Sequence, residues 1–252
     1  LNSYNFRLLN AETDSIFINK PDNSPFSDEE KNKLLKELND LFPDLINWES
    51  DGEYERCIIF KGKNYVLYNK DKTIYKGSAL KSSKLEPALK EMQKKMIEAL
   101  ILDKQAELLD IYEFYIKEIN EITDIKRWCQ KKTWTAKIGN CRGHDTMSKE
   151  EKKIAGIRKN ESDIFDAAAN KIMQEGDKLY VYPTIIKENC ETKVYKNGKI
   201  KEKRTIVTGL KLAENWANDH DKNKLYNRIF DNIKLFSTVI DTSIFKNYSD
   251  ID

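Results

Sequence analysis

Residues 2–19, NSYNFRLLNAETDSIFIN, set two short apolar stretches, Phe6 to Leu9 and Ile16 to Ile18, on either side of the polar run Asn10, Ala11, Glu12, Thr13, Asp14. That pattern predicts a β-hairpin. At its tip, Glu12 and Asp14 are one residue apart, so a suitable bend gathers their oxygens around a hard divalent cation, with magnesium the natural candidate. Acidic turn residues kept in solvent for structural reasons alone are the competing explanation.

Beyond the hairpin the pattern changes period. Ser27 can cap a helix whose first turn carries Asp28, Glu29 and Glu30 and whose apolar side is Leu34, Leu35 and Leu38, with Phe42 and Pro43 at its exit. From Tyr54 to Tyr75, β-rich runs broken at Lys61-Gly62 and Asn69-Lys70-Asp71 predict two or three antiparallel strands. Leu85, Leu89, Met92, Met96 and Leu100 then recur at helical spacing, as do Leu225, Ile229, Ile233, Phe236 and Ile240 near the end, and both sets are best explained by core packing. Ile164, Phe165, Ala168 and Ile172 fit a further helix, and Asn197-Gly198 a tight strand reversal.

Taken together, NAETDSIFI, GKNYVLY, YKGSALKSSKLEPALKEMQKKMIEAL and DHDKNKLYNRIFDNIKLFSTVID resemble, in this order, the C-terminal palm and thumb of a family B DNA-directed DNA polymerase. The first resembles the catalytic YGDTDS hairpin and the second the lysine-x-tyrosine primer-template motif; the last two match diffusely. The resemblance implies an α+β fold: a partial palm with antiparallel strands at residues 1–82, followed by a mainly helical thumb at 83–252. Asn10, Ala11 and Glu12 stand where the family has tyrosine, glycine and the first aspartate, whereas Thr13, Asp14 and Ser15 keep its pattern. Glu12 preserves the charge but moves the carboxylate by one methylene.

On this resemblance Asp14 and Glu12 are the catalytic, metal-binding carboxylates, and two Mg2+ ions in the complete site assist attack of a primer 3' hydroxyl on a deoxynucleoside triphosphate. Lys63 and Tyr65 are expected on one strand face against the primer-template, with Lys76, Lys81 and Lys84 as a second set of backbone contacts. Arg127, Lys131 and Lys132, interleaved with Trp128 and Trp134, are candidate thumb contacts to DNA, although both tryptophans serve equally as core anchors. Cys141 and His144 lack a second pair and do not make a zinc motif.

The family's other metal-binding aspartate and its triphosphate-gripping basic residues have no counterpart here. The expected partners are therefore primer-template DNA, deoxynucleoside triphosphates, an N-terminal polymerase region or separate subunit, and a sliding clamp; the isolated chain is expected to synthesise no DNA. A nonenzymatic DNA-binding or processivity-related module with a polymerase-like palm and thumb is the alternative, and it would explain the altered hairpin.

Composition sets wider bounds. The chain has 252 residues, 34% charged and 39% hydrophobic, with 44 basic against 42 acidic side chains and a net charge of +2. A small disulfide scaffold is excluded, and any DNA-binding surface must be a local concentration of charge. Four scattered cysteines favour a reducing, intracellular setting, at replicating DNA on the polymerase reading and with a viral or phage source among those it allows. Nothing approaches the roughly 18 consecutive apolar residues of a membrane span. Leu1 opens directly on strand-like sequence, from which we expect the rear portion of a larger polymerase or a naturally separate subunit.

Overall fold

The fold is a mixed α+β arrangement of antiparallel sheets and helices. It was obtained as a computed structural model that describes residues 6–43, 45–141, 147–196 and 199–250, with side chains for all of these except 186–196, 199–208 and 250. Two compact units form: Leu1–Cys57 with Val66–Ile74, and Ile58–Tyr65 with Tyr75–Asp252.

In the first unit, β1 (Arg7–Ala11) and β2 (Ile16–Asn19) pair antiparallel, with a register shift between Leu8 and Asn10 that leaves Leu9 as an extra residue. The Glu12 N–H donates to the Ser15 carbonyl (2.8 Å), which closes the polar tip. Helix α1 (Asp28–Asp40) begins with the expected Ser27 cap: Ser27 Oγ accepts from the Glu30 N–H, and the Glu30 carboxylate accepts from the Ser27 N–H. Leu34 and Leu38 turn inward. Asn39 holds the chain beyond the helix by donating to the Trp48 carbonyl and accepting its N–H.

Strands β3 (Arg56–Lys61), β4 (Asn64–Asn69) and β5 (Lys72–Lys76) form a sheet in that order, its connections short enough only for antiparallel reversals. The division between the units runs through this sheet, and the expected boundary near residue 82 lies in the turn before α2.

The second unit has a helical core. Helices α2 (Pro87–Ile101) and α3 (Glu107–Asn120) pack together, and Leu89, Met92, Met96 and Leu100 of α2 are buried as their spacing predicts. Tyr112 and Ile116 of α3 and Trp128, in a single 3-10 turn at Ile125–Trp128, complete the packing. The same unit holds a sheet of β6 (Gln130–Thr133), β7 (Lys178–Lys196) and β8 (Lys199–Leu212), all antiparallel. The Asn197-Gly198 reversal lies outside the described residues. Lys196 pairs with Lys199 across it.

Against this sheet pack α4 (Ala136–Gly139) and α6 (Lys159–Ala167), with Trp134, Ile138, Phe165, Leu179 and Val181 in one cluster; α5 (Lys149–Ala155) buries no residue. Ile172 is 98% exposed, because α6 stops at Ala167 and successive turns redirect the chain before the helical stripe can reach it. Helix α7 (Lys222–Ile233) buries Leu225, Ile229 and Ile233, and Phe236 just beyond it meets Phe60 edge-on, their ring centroids 5.3 Å apart. Among the described residues no helix is long and apolar enough to cross a membrane.

Candidate nucleic-acid interface

The β3–β4 reversal uses two residues, Gly62 and Lys63, and Lys63 adopts a φ of 62°, a left-handed conformation uncommon for a side chain of its size. Asn64 Nδ2 donates to the Gly62 carbonyl (3.1 Å), while its Oδ1 accepts the Ala79 N–H (2.9 Å). Between them sits Gly77, with φ 96°; a Cβ there would lie 2.2 Å from the Lys63 carbonyl oxygen and 2.3 Å from Asn64 Oδ1. The Gly77 carbonyl in turn accepts from the Leu80 and Lys81 N–H groups (3.3 and 3.1 Å). Absence of a side chain at residue 77 thus lets the Lys63 turn and the Gly77–Lys81 turn meet backbone to backbone.

Lys63, Lys76, Lys81 and Lys84 are all exposed, and among the described residues none has an ion-pair partner. Four ammonium groups without a carboxylate, carried by two tethered turns and the segment that follows, attract polyanions.

The shared strand face expected for Lys63 and Tyr65 does not form. The turn consumes Lys63, and β4 begins at Asn64 with Tyr65, Val66 and Leu67 buried in succession, Tyr65 at 5% exposure. A buried ring cannot lie on a sugar; its contribution is to hold β4 beneath the turn.

At the β1–β2 tip Asp14 is exposed and Glu12 half-buried, with Glu12 Oε1 and the neighbouring Asn10 Nδ2 shut away from solvent without a hydrogen-bond partner. These two carboxylates are the residues available to hold magnesium, which keeps several waters and often takes only one or two protein carboxylates beside substrate phosphates. An enclosed, unpartnered oxygen fits a cation ligand. No group of three or more histidine, cysteine or acidic residues gathers among the described residues.

Arg127 is placed differently from the expected DNA contact. Its Nε and Nη2 donate to the two oxygens of Glu118 (2.7 and 3.1 Å), and Nη1 donates to Glu91 (2.9 Å). Trp128 Nε1 also donates to Glu118, and Lys95 pairs with Glu91, whose carboxyl is held down at about 2 by Lys95 and then Arg127 against the opposing effect of burial. To reach DNA, this guanidinium would have to surrender both carboxylates. Arg127→Ala is therefore expected to cost about 2 kcal/mol in urea unfolding and to leave the salt dependence of DNA binding unchanged; a salt slope lowered by about one would restore it as a phosphate contact.

Lys131 is exposed on β6 opposite Tyr180, and Lys132 is half-buried opposite Leu179. Trp128 and Trp134 are 0% and 8% exposed, so they are core anchors. Cys141 is buried; His144 lies outside the described residues.

Sequence reasoning missed two buried ionic groupings. Glu86, 1% exposed, accepts from Arg228 Nη1 at 2.6 Å across 142 positions. Asp219, 3% exposed, accepts from Lys211 Nζ (2.9 Å) and the Tyr182 hydroxyl (2.7 Å), with Thr184 Oγ1 3.1 Å from its second oxygen. The only local signal was Lys211 between Leu210 and Leu212 on a strand. No family model matches the chain, and no curated protein matches it.

Proposed function

We propose that the chain binds primer-template DNA as the C-terminal palm and thumb portion of a template-directed DNA polymerase of the family B type. The observation that carries this reading is the junction at Gly77, which ties Lys63 of one sequence motif to the lysine-bearing turn of the next and leaves Lys63, Lys76, Lys81 and Lys84 exposed without carboxylates. Such a row neutralises backbone phosphates without reading bases, which suits an enzyme that must accept every sequence. Glu12 and Asp14 would hold magnesium at the hairpin tip. When bound, the metal supplies charge neutralisation at the triphosphate; the chain's own lysines position the duplex. Another polymerase segment or subunit contributes the remaining aspartate and the triphosphate-gripping cations, and the reaction runs at replicating DNA.

Fluorescence anisotropy with a labelled primer-template tests the binding half. Lys63→Gln and Lys81→Gln are each expected to weaken binding about tenfold near 0.1 M salt and to reduce the slope of log K against log salt by about one. Equal affinity and slope in both variants would remove these lysines from the interface. Primer extension tests the catalytic half: the chain alone with magnesium and four deoxynucleotides is expected to be inactive, and addition of a polymerase segment carrying the second aspartate to restore synthesis. Binding that survives every such complementation without synthesis would instead favour a nonenzymatic DNA-binding module.

A further inference from the structure

Strands β7 and β8 outrun the sheet they belong to. At the base of β7, β6 pairs with Lys178–Val181, whereas β7 and β8 stay paired from Glu188 opposite Thr208 out to Lys196 opposite Lys199. Over those positions no third strand joins them among the described residues, so a two-stranded ribbon about 27 Å long extends from the sheet. Toward its end Lys193 stands directly opposite Lys203, and Lys196 directly opposite Lys199. A register shift between Val194 and Tyr195 leaves Lys201 as an extra residue between the two pairs.

Like charges directly opposed across an antiparallel pair destabilise it, so neither lysine pair helps the ribbon to form. The wider charge pattern has the same sign. From Thr192 to Arg204 the sequence sets Lys193, Lys196, Lys199, Lys201, Lys203 and Arg204 against Glu202 alone, in a chain whose net charge is +2. The other carboxylates belong to the base: Glu188 and Glu191 on β7, and Glu161, Asp163 and Asp166 on α6, which packs on β8 at Leu210 and Leu212. Strand alternation puts the Lys193–Lys203 pair on one face of the ribbon and the Lys196–Lys199 pair on the other.

We propose that the distal β7–β8 ribbon is a second duplex-binding element that lies in the major groove, its two opposed lysine pairs neutralising backbone phosphates along the groove. A groove about 12 Å wide admits a two-stranded ribbon, and phosphates line both of its walls, as cations occupy both faces of this ribbon. A single strand is the less suitable occupant. Its bases need a platform of aromatic rings, and Tyr195 is the one aromatic residue between Thr192 and Arg204. Phosphate contacts of this kind position the duplex without reading it. The assignment rests on the DNA-binding half of the proposed function and adds to the lysines around Gly77 a contact from a separate part of the chain.

The experiment uses the full chain with a labelled primer-template duplex, and a single strand of the same length, at roughly 50 to 200 mM salt. Lys193→Gln/Lys203→Gln and Lys196→Gln/Lys199→Gln are each expected to melt no lower than the unaltered protein, since each removes an opposed like-charge pair. Both should nonetheless bind duplex roughly 50-fold more weakly near 0.1 M salt and lose about two from the salt slope. Lys203→Glu sets opposite charges across the ribbon and is expected to slow hydrogen exchange of the ribbon amides, yet to weaken duplex binding about as far as the first double variant. Equal duplex affinity and slope in both double variants, while Lys63→Gln still weakens binding, would overturn the ribbon site and leave the proposed function intact. A double variant that self-associates but binds duplex unchanged would overturn it too, the lysines then guarding an open strand edge. Weakened binding in the ribbon variants, with Lys63→Gln and Lys81→Gln unaffected, would uphold the ribbon and remove the Gly77 lysines from the interface. Losses confined to the single strand would overturn the groove assignment, and an unaltered protein that binds no duplex would overturn both readings.

Discussion

Asp219→Ala is expected to destabilise the second unit by about 3–5 kcal/mol in urea unfolding followed by circular dichroism. Lys211, 8% exposed, would lose the carboxylate 2.9 Å away, and the Tyr182 hydroxyl, in a residue 0% exposed, would lose its acceptor at 2.7 Å. The loss reaches further than one side chain. Thr184 Oγ1 also meets the Asp219 carbonyl, the Ile185 N–H donates to that carbonyl, and the Asp221 N–H donates to the Pro183 carbonyl, so Asp219 pins the segment before α7 along β7. Pairing Asp219→Asn with Lys211→Met should recover at least half of the loss, since a buried ion pair replaced by neutral groups of similar volume is far less costly than one broken from a single side. A single variant that loses under 1 kcal/mol would refute the pinning role.

Acid tests the same residue. Burial alone would raise the Asp219 carboxyl, but hydrogen bonds from Lys211, Tyr182, the Ala217 N–H and Thr184 outweigh it and hold the group at about 2, below the ordinary 3.8. With the folded value the lower one, its contribution is present above pH 4 and disappears as pH falls toward 2. His220 has the same sign at higher pH. Burial pushes it below 6.5, its Nε2–H donates to the Ile119 carbonyl and Nδ1 is enclosed without a partner, so stability present above pH 6.5 declines as the ring is forced to charge. Asp166 runs the other way: burial, with Asp163, pushes it up to about 7, so its contribution is full below 3.8 and is lost as pH rises through 7. Because the Asp219 charge itself favours the charged His220 ring, the comparison of unaltered protein with Asp219→Asn is read on the acid limb between pH 4 and 2, which should flatten only in the variant.

What the sequence made legible was local. The Ser27 cap, the Leu89-Met92-Met96-Leu100 stripe and the Leu225-Ile229-Ile233 stripe declare themselves because partners three or four residues apart share a helix face. The lysines at 76, 81 and 84 were visible as local composition. Lys63 and Tyr65 misled because strand alternation was carried one residue into a turn, and because β4 does not alternate: Tyr65, Val66 and Leu67 are buried in succession. Arg127 misled because, in a chain with 34% charged residues, a guanidinium destined for Glu118 and Glu91 looks the same as one waiting for phosphate. Glu86 with Arg228 and Lys211 with Asp219 were missed for a related reason: the pairing of a buried charge is decided by topology, and beyond the leucines flanking Lys211 nothing adjacent in sequence records it.

Gly77→Ala separates a site built by backbone contact from a mere concentration of lysines. At φ 96° any L side chain is strained, and the new Cβ would stand 2.2 Å from a carbonyl oxygen that belongs to the main chain and cannot rotate aside. Either the Lys63 turn or the 77–81 turn must withdraw, and withdrawal breaks the bond from the Ala79 N–H to Asn64 Oδ1. The expected cost is about 3 kcal/mol of local stability, read as faster hydrogen exchange of the Ala79 and Lys81 amides, with the α2–α3 core left protected. Every lysine survives in this variant, yet primer-template affinity should fall at least as far as in Lys63→Gln, because phosphates at fixed spacing no longer meet ammonium groups at matching spacing. Asn64→Ala supplies the intermediate case: it removes the tether without forcing the turns apart, and a smaller loss of affinity is expected. If Gly77→Ala exchanges its amides faster but binds duplex as well as the unaltered protein, charge density alone accounts for the interface, and the Gly77 junction is structural; if affinity and amide protection fall together, the junction is what turns scattered lysines into a binding surface.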